Sequence, residues 1–173
     1  LQFLFDRQWR AIKGHANSLS LRILGDLPIY VSADSSDVWA NPEIFQLDDQ
    51  RQPTVVAGVP PDYFAKDGQL WGNPIYDWDA LQQTGYAWWK RRIAHAADLY
   101  DLVRIDHFRA FADYWAVPKS ATTARDGTWQ RGPGAALIEA LGEVIDINRL
   151  VAEDLGEIDN RVLELRDQFT LPG

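Results

Sequence analysis

Two short apolar runs, Leu102-Val103-Arg104-Ile105-Asp106 and Leu150-Val151-Ala152-Glu153, end in a carboxylate, and segments of helical period surround them. Strands covered by helices on both faces tolerate a charge only where the chain leaves the sheet. Residues 84–100 place Tyr86, Trp89, Ile93, Ala97 and Tyr100 at steps of three and four, an amphipathic helix leading into the first run. Upstream, Phe3, Phe5, Trp9, Ile12 and Leu19 predict a helix within residues 3–24 that ends near Gly14-His15 or a little later. Residues 21–29 then read as a buried strand running into a loop, with Pro28 favouring the strand's end. A helix over about 135–141, a strand over 146–153 and a last helix over 159–169 complete the alternation. Strand, helix, strand, helix predicts an α/β fold with parallel pairing and right-handed crossovers. Residues 32–79 and 118–134, rich in Pro, Gly, Asp and Trp and without sustained period, are expected to be long ordered loops.

Composition removes several functions. The net charge of −8, from 17 basic and 25 acidic residues, disfavours nucleic acid and anionic membrane surfaces, which call for clustered cations. A neutral or cationic ligand fits better. No apolar run approaches the length of a membrane span, and the start has no signal-peptide pattern, so the cytoplasm is the expected compartment. Without cysteine there is no disulfide framework or thiolate metal site. The chain begins Leu1-Gln2-Phe3 and holds no methionine, from which a segment of a longer protein is expected. Its 8 tryptophans suit either core packing or a sugar-binding cleft.

The chemistry is expected at the strand ends, because (β/α) barrels build their active sites on the carboxyl-terminal face. Period-two alternation puts Arg104 on the same face as Asp106, and a guanidinium beside a carboxylate favours the charged form that a nucleophile needs. Glu153 shares its face with Val151 and has no basic neighbour in sequence, a setting suited to a general acid. The bland alternatives are a helix N-cap or solvated loop residue for each carboxylate, and a structural ion pair for Arg104 with Asp106. Asp154, followed by Gly156 and a helix, fits the bland role better than Glu153 does. Two strands of one sheet ending in this way make coincidence the weaker account. Asp34 and Asp37 read as residues at a helix start rather than as metal ligands, and no metal or cofactor is expected.

The segments Val103-Arg104-Ile105-Asp106-His107-Phe108-Arg109 and Val151-Ala152-Glu153-Asp154-Leu155-Gly156 closely resemble the nucleophile and acid/base motifs of the amylomaltase or 4-α-glucanotransferase family, glycoside hydrolase family 77. Three further stretches look like parts of the same family: Gly25-Asp26-Leu27-Pro28-Ile29-Tyr30-Val31, Gly58-Val59-Pro60-Pro61-Asp62-Tyr63-Phe64 and Gly68-Gln69-Leu70-Trp71-Gly72-Asn73-Pro74. The resemblance covers nearly the whole chain, in order. It implies a segment of a (β/α)8 TIM barrel, about strands 3 to 5 with their helices and long βα loops, so that residues 1–173 form a partial catalytic domain incomplete at both ends. By resemblance Asp106 is the nucleophile and Glu153 the acid/base. Arg104 and His107 hold Asp106 and sugar hydroxyls, and Asp62, Tyr63, Phe64, Trp71 and Asn73 contact the glucan.

The implied partner is an α-1,4-glucan or maltooligosaccharide, and the implied reaction is retaining transfer of glucan segments. The family's third carboxylate, an Asp on a later strand, has no counterpart before Leu171-Pro172-Gly173, so the segment is expected to need the remainder of the barrel and to be inactive alone. A retaining α-glucan hydrolase would use the same two carboxylates. A non-catalytic carbohydrate-binding segment would need the aromatic loop but neither acid. A doubly wound nucleotide-binding domain would need a glycine-rich turn after its first strand, and Gly25-Asp26-Leu27-Pro28 is no such turn.

Overall fold

The computed structural model describes residues 1–156 and 158–173. Helix α1 (Gln2–Ser18) is the helix expected from the spacing of Phe5, Trp9 and Ile12, and it runs past Gly14-His15. None of its residues is buried. It is tethered where the Trp9 indole N–H donates to the Leu99 carbonyl at 2.8 Å and Arg10 pairs with Asp98 at 2.7 Å. Strand β1 (Leu24–Pro28) is shorter than residues 21–29 but does end at the proline.

The expected loop over 32–79 is a correction, because the chain there builds α2 (Ser36–Ala40), β2 (Val55–Val59), β3 (Gln69–Pro74) and α3 (Trp78–Gln83). Helix α4 (Ala87–Leu99) buries Trp88, Trp89, Ile93, Ala96 and Ala97, and delivers the chain to β4 (Leu102–Asp106). Strands β5 (Asp113–Pro118) and β6 (Thr128–Arg131) follow, the latter inside the second stretch expected to be irregular. Helix α5 (Ala135–Gly142), strand β7 (Leu150–Ala152) and helix α6 (Asn160–Gln168) close the described chain. Strand β7 is shorter than 146–153 because the Asp146 carboxylate caps a 3-10 turn over Ile147–Arg149 before the strand begins.

Among the described residues the strands form two sheets. The first is parallel, in the order β1-β4-β7, with Asp26 beside Arg104, Pro28 beside Asp106 and Arg104 beside Val151. This is the α/β arrangement the alternation predicted. The second, which the sequence did not announce, is antiparallel in the order β3-β2-β5-β6. Its two hairpins belong to different connections, β2/β3 to the one after β1 and β5/β6 to the one after β4, and β2 joins them by pairing with β5 from Val55–Pro118 to Gly58–Trp115. Both connections leave the carboxyl ends of parallel strands, so the second sheet rises over the face where Asp106 and Glu153 emerge. The core beneath it packs Tyr76, Trp89, Phe108, Phe111, Ile93 and Ile105, all almost fully buried. Burial of each such side chain stabilises by about 1.5–3 kcal/mol.

Candidate active site

Strand β4 ends at Asp106, and His107 follows in the left-handed region at φ 56°. That conformation costs a non-glycine residue about 1 kcal/mol, and it turns the chain into the buried 3-10 turn Phe108–Phe111. The reversal aims the His107 backbone N–H at Glu153 Oε2, 3.0 Å away. The Leu155 N–H donates to Oε1 of the same carboxylate at 3.1 Å, and the Glu153 N–H itself donates to the Ile105 carbonyl at 3.1 Å. Pairing between β4 and β7 thus continues just beyond the ladder and carries Glu153 next to the end of β4.

Arg104 lies between the carboxylates. Its Nη1 is 2.6 Å from Asp26 Oδ1 and 3.0 Å from Asp106 Oδ1, and its Nη2 is 4.0 Å from Glu153 Oε1. One guanidinium therefore faces carboxylates from three adjacent parallel strands. Its own pKa is raised, first by the hydrogen bond to Asp26. Glu153 has no basic neighbour in sequence, but it has one across the sheet, because the register sets Arg104 directly beside Val151, two residues before Glu153.

Asp106, His107 and Glu153 open onto a cleft of about 740 Å³, whose walls include Asp62, Tyr63, Phe64 and Trp71. That volume suits a small-molecule or oligomeric ligand. A more open groove of about 610 Å³, lined by Trp88, Arg92 and His95, contains neither Asp106 nor Glu153. Tyr63 and Phe64 stand 92% and 93% exposed on the loop between β2 and β3, edge to face at 5.4 Å. The Asp62 carboxylate accepts the Phe64 and Ala65 N–H groups at 2.8 and 2.6 Å and so shapes that loop. Trp71 meets the His107 ring edge to face at 4.8 Å. Burial, aided by the Arg109 guanidinium, pushes the His107 imidazole down to about 4, so the ring is neutral near pH 7.

Two of the expected contacts lie outside the cleft wall. Arg104 is held by Asp26 and Asp106, and the Asn73 amide donates to the Val31 carbonyl at 2.9 Å. Asp154 is neither N-cap nor solvated loop residue; it pairs with Arg166 at 2.6 Å, and Asp159 caps α6. Asp37 lies in the first turn of α2, whose N-cap is Ser35, while Asp34 precedes the helix and accepts the Ser32 hydroxyl. Among the described residues, no group of three or more His, Asp or Glu could hold a metal ion.

Sequence reasoning passed over Asp26, Arg109 and Trp129. Arg109 is 6% exposed, pairs with Asp113, and holds its guanidinium carbon 4.1 Å from the centre of the Trp129 ring at the cleft wall. The signal for Asp26 was available, since it occupies on β1 the place Arg104 occupies on β4.

The profile of the 4-alpha-glucanotransferase family, glycoside hydrolase family 77, matches residues 1–173. The chain belongs to the 4-alpha-glucanotransferase family. It is 53% identical over 172 residues to the 4-alpha-glucanotransferase of Thermus thermophilus, covering 99% of this chain and 34% of that protein. The chloroplastic/amyloplastic 4-alpha-glucanotransferase of Solanum tuberosum is 48% identical over 172 residues, covering 99% of this chain and 30% of the potato protein. Among solved structures, the amylomaltase of Streptococcus agalactiae in complex with acarbose superposes with a TM-score of 0.95 at 46% identity, over 99% of this chain and 35% of that one. This 4-alpha-glucanotransferase family chain thus spans about a third of the length of the curated relatives it matches. The potato protein's name places that relative in plastids, so the expected cytoplasmic location is not general to the family. Among the described residues, no helix is long and apolar enough to cross a membrane.

Proposed function

We propose that the chain is the middle part of a 4-alpha-glucanotransferase, a segment of a (β/α)8 barrel around its third to fifth strands, which moves α-1,4-glucan segments between maltooligosaccharides with retention of configuration. The observation that carries this reading is the delivery of two carboxylates, from neighbouring parallel strands, into one cleft beside a single guanidinium. Asp106 attacks the anomeric carbon while Glu153 gives its proton to the glycosidic oxygen, so the bond to the departing sugar breaks as the bond to Asp106 forms. Glu153, now a carboxylate, takes the proton of an acceptor hydroxyl, which displaces Asp106 and restores the α linkage. Arg104 holds Asp106 in position throughout, and the neutral His107 ring is able to exchange hydrogen bonds with sugar hydroxyls. Aromatic faces at Tyr63, Phe64 and Trp71 suit the apolar C–H faces of glucose rings, and the net charge of −8 is compatible with a neutral ligand. The remaining strands and the family's third carboxylate come from the rest of the barrel.

The full-length protein carrying this segment should convert maltotriose into glucose and longer oligosaccharides. Conversion to glucose and maltose alone would mean hydrolysis instead. Asp106→Asn should abolish turnover. Glu153→Gln, given a glycosyl fluoride that departs without protonation, should accumulate a glycosyl label on Asp106; label on any other residue would overturn the assignment.

A further inference from the structure

The four-stranded sheet carries a half-exposed tryptophan on each outer strand, Trp71 on β3 at 39% and Trp129 on β6 at 38%, and both line the cleft that holds Asp106 and Glu153. Three strand spacings of about 4.8 Å put those outer strands roughly 14 Å apart. The two tryptophans thus stand on opposite borders of one cleft. Trp71 is already committed near the carboxylates through His107, at 4.8 Å. Trp129 is free of that commitment and is built rigidly. The Arg109 guanidinium lies 4.1 Å from its ring centre, and Arg109 is itself buried and paired with Asp113. Trp115 meets it edge to face at 5.2 Å, and the Trp115 indole N–H is fixed on the Ala124 carbonyl at 2.8 Å. Gly127 packs so closely on Trp115 that a Cβ at that position would overlap its ring. A surface tryptophan with no ligand needs no such chain of supports.

Building on the glucan-transfer reading above, we propose that Trp129 is a sugar-stacking platform for a glucose unit of a long chain, remote from the bond that breaks, and that it sets the enzyme's preference for chain length. The cation against the ring fixes its plane, so little side-chain freedom is lost when a pyranose ring covers the exposed part. Short oligosaccharides that fill only the positions beside Asp106 do not reach it.

The test uses the full-length protein with Asp106→Asn, which binds without turnover, titrated calorimetrically with maltose and with maltoheptaose. Adding Trp129→Ala should weaken maltoheptaose about three- to tenfold and leave maltose unchanged, and Trp129→Phe should restore most of the loss. Equal loss for both sugars, or none for either, overturns the platform. If Trp129→Ala fails to fold, Trp129→Leu serves the same comparison, since it fills space without a π face. Failure of the Trp129-intact protein to bind either sugar would instead refute the glucan-transfer reading and the platform with it. Intact binding with no length-dependent effect refutes the platform alone.

Discussion

His107 acts through two separate parts. Its left-handed backbone turns an N–H onto Glu153, and its ring sits against Trp71 at the cleft. These contributions separate by substitution. His107→Asn tolerates the left-handed region and keeps the N–H, whereas His107→Val does not favour it. In the full-length enzyme the valine variant should therefore lose roughly tenfold more kcat than the asparagine variant; equal losses would show that only the ring matters. The ring also sets a pH dependence. Its folded value of about 4 lies below the ordinary 6.5, so the unfolded chain binds the proton more readily. Its contribution to stability is complete above about pH 6.5 and is lost as pH falls toward 4, up to about 3 kcal/mol in all. Proton NMR should show the His107 ring still neutral at pH 5, and His107→Asn should flatten the acid limb of stability measured by denaturant unfolding. Asp106 and Glu153 were legible because each ends an apolar run. The closeness of Arg104 to Glu153 was not, because it depends on register between strands whose partners, such as Ile105 and Ala152, lie 47 residues apart, rather than on neighbours along one strand.

Among elements, the parallel sheet could be read because α4 and the runs beside it have unmistakable periods, while the antiparallel sheet could not. Strand β6 is Thr128–Arg131, exposed at every position, and β3 is exposed over its first half. Neither shows the alternation that marks a half-buried strand, and the partner that stabilises each is supplied by tertiary pairing. The role of Gly25 was equally invisible. It lies in β1 against Tyr100, where a Cβ would overlap the tyrosine ring. Gly25→Ala should push β1 away from the end of α4 and lower stability by about 1–3 kcal/mol, seen as a lower Tm. An unchanged Tm would mean that Tyr100 swings aside at no cost.

For the molecule as a whole, β1 ends the order of the parallel sheet, and α1, tethered to the end of α4, exposes Phe3, Phe5 and Ile12. At the opposite edge the Ala152 N–H donates to the Pro172 carbonyl at 2.8 Å, so the last residues begin to cover β7. Open strand edges and uncovered apolar side chains favour association. These 173 residues expressed alone should self-associate as concentration rises, read by sedimentation velocity. A monodisperse, folded monomer at all concentrations would refute this.

The roof of the cleft is sewn from two insertions that belong to different βα units, with β2 and β5 as the seam. Neither insertion has a finished edge without the other. Across the family's descent the two should therefore lengthen, shorten and vary as a pair, and a loop transplanted from a distant relative should graft cleanly only when both halves of the seam travel together.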